Sequence, residues 1–130
     1  MIAVDTNVLV RFLVEDTTEQ SRRARRLVEK NDVVVATTVL LETEWVLRSA
    51  YGFDRGSICG AFRQLLGLAN VTPAEPAVVS RALDAFESGQ DFADALHLAS
   101  TPKAEKFFTF DLKLARASKS RHPEVLVVPG

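Results

Sequence analysis

Short β-forming runs alternate with longer helical patterns along this chain, and the alternation restricts the fold more than any other sequence feature. Strands that are separated by helices are typical of βα units built around a parallel sheet. The length of 130 residues suits one domain. The sequence therefore predicts an α/β fold, in one domain over residues 1–130, around a central parallel sheet. The predicted strands are Ile2–Val4, Val33–Ala36, Asn70–Thr72, Phe107–Thr109 and Val125–Val128.

Capping residues predict where the helices begin and end. Polar N-caps, a first-turn proline and terminal glycines each satisfy or interrupt the helical backbone in a specific way. The predicted helices are one to Glu29 after a capping box at Asp16–Glu19, one from Thr37 or Thr38 to about Ala50 before Gly52, one from Asp54 to about Leu66, one from Pro76 to about Glu87 before Gly89, one from Asp91 to about Ser100, and a short one from Asp111.

The composition indicates a globular protein in a reducing compartment. Apolar residues make up 47% of the chain and charged residues 25%, which is ordinary for a soluble domain. Cys59 is the single cysteine, so no internal disulfide can form, and we expect it to be a small buried side chain. With no targeting segment and no apolar run near membrane-spanning length, we expect a cytoplasmic protein that does not contact the membrane.

The net charge of −1 does not by itself indicate nucleic-acid binding. However, five acids could lie in one acidic pocket, which would leave a positive net charge on the rest of the chain. A protein with a positive charge around an acidic pocket that holds a metal ion could still bind a polyanion. The acids in question are Asp5, Glu42, Asp91, Asp94 and Asp111.

Several of these acids follow predicted strands or open predicted helices. Asp5 directly follows the first strand, and Asp111 lies two residues after the fourth. In a parallel sheet, ligands bind outside the carboxyl ends of the strands, so we expect both at one edge of the sheet. Asp91 and Asp94 are three residues apart and share a helix face. Taken singly, each could instead be a helix cap or a first-turn acid.

Two glutamates border the apolar face of the helix from residue 37. Glu44 can pair with Arg48 four residues on, which predicts a surface role, whereas Glu42 has no cation at either spacing. An unpaired carboxylate beside an apolar face suggests a metal. Mg²⁺ prefers oxygen ligands, and crowded carboxylates repel one another without a cation.

Other chemistries find little support in the sequence. Histidine and cysteine are too few for a zinc site, and there is no glycine-rich phosphate loop or nucleophile elbow. We expect His97 to be a packed core or interface residue and His122 a loop residue. Two basic groups are candidates for phosphate contacts or for solvated helix faces. They are Arg22, Arg23, Arg25 and Arg26, and Lys113, Arg116, Lys119 and Arg121.

Four segments of the chain resemble, in order, the motifs of PIN-domain proteins of the VapC and FitB type. The resemblance extends over nearly the whole chain, which makes it far more specific than one motif. The segments are MIAVDTNVL at residues 1–9, LLETEWVLR at 40–48, DFADALHLA at 91–99 and TFD at 109–111.

The resemblance implies a three-layer PIN fold, with helices on both sides of the parallel sheet. It also implies a Mg²⁺- or Mn²⁺-dependent ribonuclease that acts as a homodimer toxin and is silenced by an antitoxin protein. Residue by residue, the acidic quartet falls on Asp5, Glu42, Asp94 and Asp111, with Asp91 as an additional acid and Asp5, Asp91, Asp94 and Asp111 as metal ligands. The supporting polar positions fall on Thr6, Asn7 and Thr109.

Two other functions remain open from the residues themselves. An aspartyl-nucleophile phosphatase also places an aspartate after its first strand, but generally has a second aspartate where this chain has Asn7. A non-catalytic module that binds RNA or protein would keep the acids only as helix caps. A titration with a divalent metal separates this module from a metal-dependent enzyme.

Overall fold

A computed structural model describes residues 1–118 and 123–130 of the chain. The chain divides into two compact units, Met1–Pro76 and Ala77–Gly130. Lys119, Arg121 and His122, for which the sequence predicts phosphate contacts or a loop, lie outside the described residues.

The first unit contains a three-stranded parallel sheet in the order β1 (Ile2–Ala3), β2 (Val33–Val35) and β3 (Val71–Pro73). The register aligns Ile2 with Val33 and Val33 with Val71. Both Val33 and Val35 are buried. Such β-branched side chains suit a strand that is covered by helices.

Four helices connect these strands and flank them in sequence. They are α1 (Thr6–Leu13), α2 (Glu19–Glu29), α3 (Thr37–Ser49) and α4 (Arg55–Leu66). Helix α1 packs against both α2 and α3, with Leu9 and Leu40 among the buried residues. Gly52 follows α3 with a φ of +69°, a conformation that glycine adopts without strain and that ends the helix. Helix α1 therefore brings the residues after β1 close to α3.

The second unit contains a two-stranded parallel sheet of β4 (Lys106–Thr109) and β5 (Glu124–Val127), with helices α5 (Pro76–Glu87), α6 (Phe92–Ala99) and α7 (Leu112–Ala117). Helix α5 starts at Pro76, the last residue of the first unit. An edge-to-face contact joins Phe86 and Phe92, with ring centroids 5.2 Å apart. Leu98, Leu114 and Val125 form a buried cluster against which Phe107 packs.

The α/β class with parallel strands is confirmed, and each strand lies within one residue of its prediction. One argument needs correction. The sequence predicts Asp5 and Asp111 at the edge of one sheet, but pairing divides β1 and β4 between two sheets. Among the described residues, the argument from one shared sheet edge therefore does not apply to these two acids.

Two predicted helix caps are also wrong in detail. Helix α2 is capped by Thr18, whose hydroxyl accepts from the Ser21 amide, while Asp16 accepts from the Thr18 amide in the preceding turn. Helix α3 begins at Thr37 after Ala36, which has no capping side chain. Both places offer adjacent polar residues, but only at α2 does one of them, Thr18, cap the helix.

Cys59 is buried, as the sequence predicts. Among the described residues, no helix has the length and apolar character required to cross a membrane.

Candidate metal site

Asp5 lies between β1 and α1 and caps the helix. Its Oδ1 accepts a hydrogen bond from the Val8 amide at 3.0 Å. The residue is exposed, and Oδ2 makes no hydrogen bond within the first unit. Asp5 therefore caps α1, but the cap uses only one carboxylate oxygen and leaves the other available to a ligand.

Glu42 lies on α3 and is held by the residue after Asp5. The Thr6 hydroxyl donates to Glu42 Oε1 at 2.5 Å, a contact between residues 36 positions apart that packing of α1 on α3 makes possible. Glu42 is exposed and has no ion-pair partner in its unit. This hydrogen bond restricts the carboxylate and leaves Oε2 unbonded, pointing to an oriented acid.

The predicted surface role of Glu44 is wrong. Only 2% of Glu44 is exposed, and its carboxylate accepts from the Arg48 guanidinium at 2.8 and 3.4 Å. The spacing correctly identifies the partner, but α3 turns Glu44 inward and Glu42 outward. A buried carboxylate needs such a partner, so Glu44 contributes to the structure of the first unit.

In the second unit, Asp91 and Asp111 cap the helices that the sequence predicts. Asp91 Oδ2 accepts from the Asp94 amide at 3.1 Å, and Asp111 Oδ1 accepts from the Leu114 amide at 3.1 Å. Both acids are exposed. As with Asp5, each cap occupies one oxygen and leaves the second without a hydrogen bond to a described residue of the unit.

Asp94 has the most unfavourable environment of the five acids. Partial burial raises the pKa of its carboxyl, and the negative charges of Asp91 and Asp111 raise it further, while His97 acts in the opposite direction. Neither carboxylate oxygen has a hydrogen bond or ion pair with a described residue of the second unit. Because these three acids act on one another, this unit contains a local excess of negative charge that a cation would neutralise.

His97 is exposed, so the core alternative of its prediction is wrong, while the interface alternative stays a prediction. It lies one helical turn after Asp94, on the polar side of α6, while Leu96 and Leu98 are buried. The apolar neighbours in the sequence therefore do not indicate where His97 points. Its proximity to Asp94 is the reason it opposes the rise in that pKa.

The Thr109 side chain supports the backbone that leads into α7. Its hydroxyl oxygen accepts from the Asp111 amide at 2.9 Å. This bond fixes the turn from β4 into α7 and so positions Asp111 indirectly. Asn7 is exposed at the start of α1.

A groove beside Asn7 was not predicted from the sequence. It has a volume of about 370 Å³ and is lined by Arg11, Gln20, Arg23 and Leu27, among others, on α1 and α2. The Nε of Arg11 is buried without a hydrogen bond, and its guanidinium lies 3.6 Å from Asp16. Arg11 interrupts the apolar sequence of α1, and this charged residue is the sequence signal that could have indicated the groove.

The Arg-rich helix α2 is largely solvated. Arg22 and Arg26 both pair with Glu19, at 3.0 and 3.4 Å, and all three side chains are more than half exposed. Such pairs contribute little to stability. The four arginines therefore do not form a single unpaired patch for phosphate.

The donor set fits a hard divalent cation. All five acids offer carboxylate oxygens that form no ion pair with a described lysine or arginine of their own unit, and Mg²⁺ and Mn²⁺ take such ligands. Asp5 and Glu42 belong to the first unit, and Asp91, Asp94 and Asp111 to the second. Among the described residues, no group of three or more His, Cys, Asp or Glu side chains lies closely enough together to hold a metal ion.

Comparison with known proteins identifies the family. The model of the PIN domain family matches residues 2–120, a range that includes all five acids and extends over both units. No curated protein and no solved structure matches the chain. PIN domains are commonly nucleases, and PIN-domain nucleases generally use divalent metal ions. A match over nearly the whole chain, together with the carboxylates described above, places this protein in the PIN-domain family.

Proposed function

We propose that this PIN-domain protein is a Mg²⁺- or Mn²⁺-dependent endoribonuclease and the toxin of a type II toxin–antitoxin pair. The observation that carries the proposal is the state of the acids inside the family match. Among the described residues of their units, four of the five use one carboxylate oxygen in a hydrogen bond and keep the other unbonded, and Asp94 keeps both unbonded. Simple helix caps do not require this accumulation of unneutralised charge.

The residues divide between metal binding and orientation. Asp5 and Asp94 are the proposed direct ligands, and Asp91 and Asp111 would bind the ion through water or hold a second one. When bound, the cation would lower the pKa of a water molecule and polarise the phosphoryl oxygen. Glu42, held by Thr6, would orient the attacking water through Oε2 and accept its proton. The expected products carry a 5′-phosphate and a 3′-hydroxyl.

Cleavage of RNA by the purified chain tests the nuclease. We expect total RNA to be cut with Mn²⁺ or Mg²⁺ and left intact in excess EDTA, and sequencing of the new ends should find 5′-phosphates. Undiminished cleavage in EDTA would contradict the metal mechanism. Mn²⁺ binding at background level, with no cleavage, would favour the non-catalytic module.

The toxin role requires a partner protein that inhibits the acidic site. A basic side chain near the C-terminus of a small DNA-binding antitoxin could pair with Asp5 and Asp94 and displace the metal, and an arginine would do so in a bidentate manner. The proposed free form is a homodimer. Co-expression with the neighbouring gene should suppress toxicity and yield a stable complex. If the neighbour neither binds nor protects, the toxin assignment fails while the nuclease can stand.

A further inference from the structure

The second unit exposes an apolar group at the carboxyl end of β4. Phe110 is 83% exposed, Phe108 53% and Leu112 55%. Phe107 in the same strand packs on the buried cluster of the unit instead. One face of β4 therefore supplies the core, while aromatic side chains immediately beside Asp111 meet solvent, which large apolar groups avoid unless a ligand covers them.

The exposure of Phe110 does not come from a loose chain. On one side, Thr109 O accepts from the Val128 amide at 2.9 Å and the Thr109 hydroxyl accepts from the Asp111 amide. On the other side, Asp111 caps α7 through the Leu114 amide. Both neighbours of Phe110 are therefore held by hydrogen bonds, and the ring is presented on a fixed backbone.

Three exposed cations lie on the two elements that adjoin Phe110 in the chain. Lys106 begins β4, at the end of the strand away from Phe110, and Lys113 and Arg116 lie three residues apart on one face of α7. None of them forms an ion pair with a described residue of the second unit. The elements on either side of Phe110 thus combine exposed apolar rings with positive charges that have no acidic partner among the described residues of the unit.

We propose that Phe110, with Phe108 beside it, is a stacking platform for an unpaired base of single-stranded RNA. Aromatic rings that bind bases and cations that bind phosphates are the two components of single-strand recognition. A duplex keeps its bases stacked inside and cannot use the rings. An apolar segment of a protein partner would cover the rings but leave the three cations unused. The link between base stacking on Phe110 and RNA cleavage rests on the proposed function, in which the neighbouring Asp111 would bind the metal ion.

Binding of RNA without cleavage tests the platform. Fluorescence anisotropy in EDTA compares a labelled oligouridine with a blunt RNA duplex. We expect Phe110→Ala to weaken oligouridine binding about tenfold, since stacking on one ring has that size, and to leave duplex binding unchanged. Phe110→Tyr keeps a ring and should retain affinity. Tyr51→Ala removes an exposed aromatic side chain of the first unit and serves as the matched control.

The salt dependence of RNA affinity distinguishes phosphate contacts made by the cations from base stacking on Phe110. Lys113→Gln should reduce the slope of log affinity against log salt by about 0.7, the value for one phosphate contact with a single strand. Phe110→Ala should leave that slope unchanged. A matching fall of the slope in both variants would overturn the division of roles.

Three results would overturn the platform itself. One is equal oligouridine affinity of the parent protein and Phe110→Ala. Another is a loss of duplex affinity in Phe110→Ala that equals its loss of oligouridine affinity. The third is unchanged RNA affinity with conversion of a dimer to a monomer in light scattering, which would assign the rings to contact with a second copy. RNA binding that depends on Phe110, in a protein that never cleaves with Mn²⁺, would instead support the platform and refute the nuclease.

Discussion

The acids of the two units are positioned by different means. In the first unit, Glu42 has a hydroxyl donor in Thr6 and an ordinary exposed setting. In the second, Asp94 is partly buried beside two other acids, and its pKa is raised. The first arrangement restricts the direction of a carboxylate, and the second concentrates charge. In the proposed function, the crowded acids of the second unit would therefore gain most from a bound cation, and Glu42 would contribute orientation.

The strongest test separates metal binding from cleavage. Asp94→Asn should abolish measurable Mn²⁺ binding and lower cleavage roughly a thousandfold, since metal assistance contributes several kcal/mol. Glu42→Gln should lower cleavage about a hundredfold, as for a general base, and leave Mn²⁺ affinity within about tenfold. Calorimetric titration and cleavage assays measure the two effects. Asp32→Asn, at an exposed acid outside the five, is the control, and the reverse ranking in metal affinity would break the contrast.

The two glutamates of α3 should separate activity from stability. Glu44→Gln removes a buried charge that accepts two hydrogen bonds from Arg48, so we expect a loss of about 1–2 kcal/mol in the free energy of unfolding. Glu42→Gln should change that free energy by less than about 0.5 kcal/mol. Urea denaturation gives both values. Loss of cleavage in a stably folded Glu44→Gln would show that the functional acid has been assigned to the wrong position.

The hydrogen bond from Thr6 should affect rate and not folding. Thr6→Val keeps the shape of the side chain but removes the donor to Glu42. We expect cleavage to fall about tenfold, the lower end for a residue that orients a functional group. Thr6→Ser keeps the hydroxyl and should restore most of the rate. Equal rates for Thr6→Val and the parent protein would mean that the contact does not position Glu42.

The smallest expected effect concerns the metal-free protein. Because the folded-state pKa of Asp94 lies above its ordinary value of 3.8, ionised Asp94 destabilises the folded state at neutral pH. This cost disappears as the pH falls through the raised pKa and below the ordinary value. Asp94→Asn should therefore be more stable than the parent by about 0.5 kcal/mol at pH 7, with no gain in stability near pH 3. Urea denaturation in EDTA measures both, and a large loss of stability at pH 7 would assign Asp94 a structural role.

Local interactions made much of this predictable. Asp54, Asp91 and Asp111 cap the predicted helices because a cap bonds an amide only three residues away. The partner of Glu44 was also predictable, since it lies one turn along the same helix. The direction of Glu44 was not, because residues two apart in a helix lie about 200° apart and the pattern of α3 is apolar next to both glutamates.

The sequence by itself determined the alternation of strands and helices, the family and the five acids, since these depend on residue type and short-range spacing. Tertiary structure decided which acids are oriented and which are crowded. The contact from Thr6 to Glu42 joins residues 36 apart, and the exposure of His97 and Phe110 depends on which side of an element the core covers. Packing between distant segments sets these features, and neither periodicity nor capping contains that information.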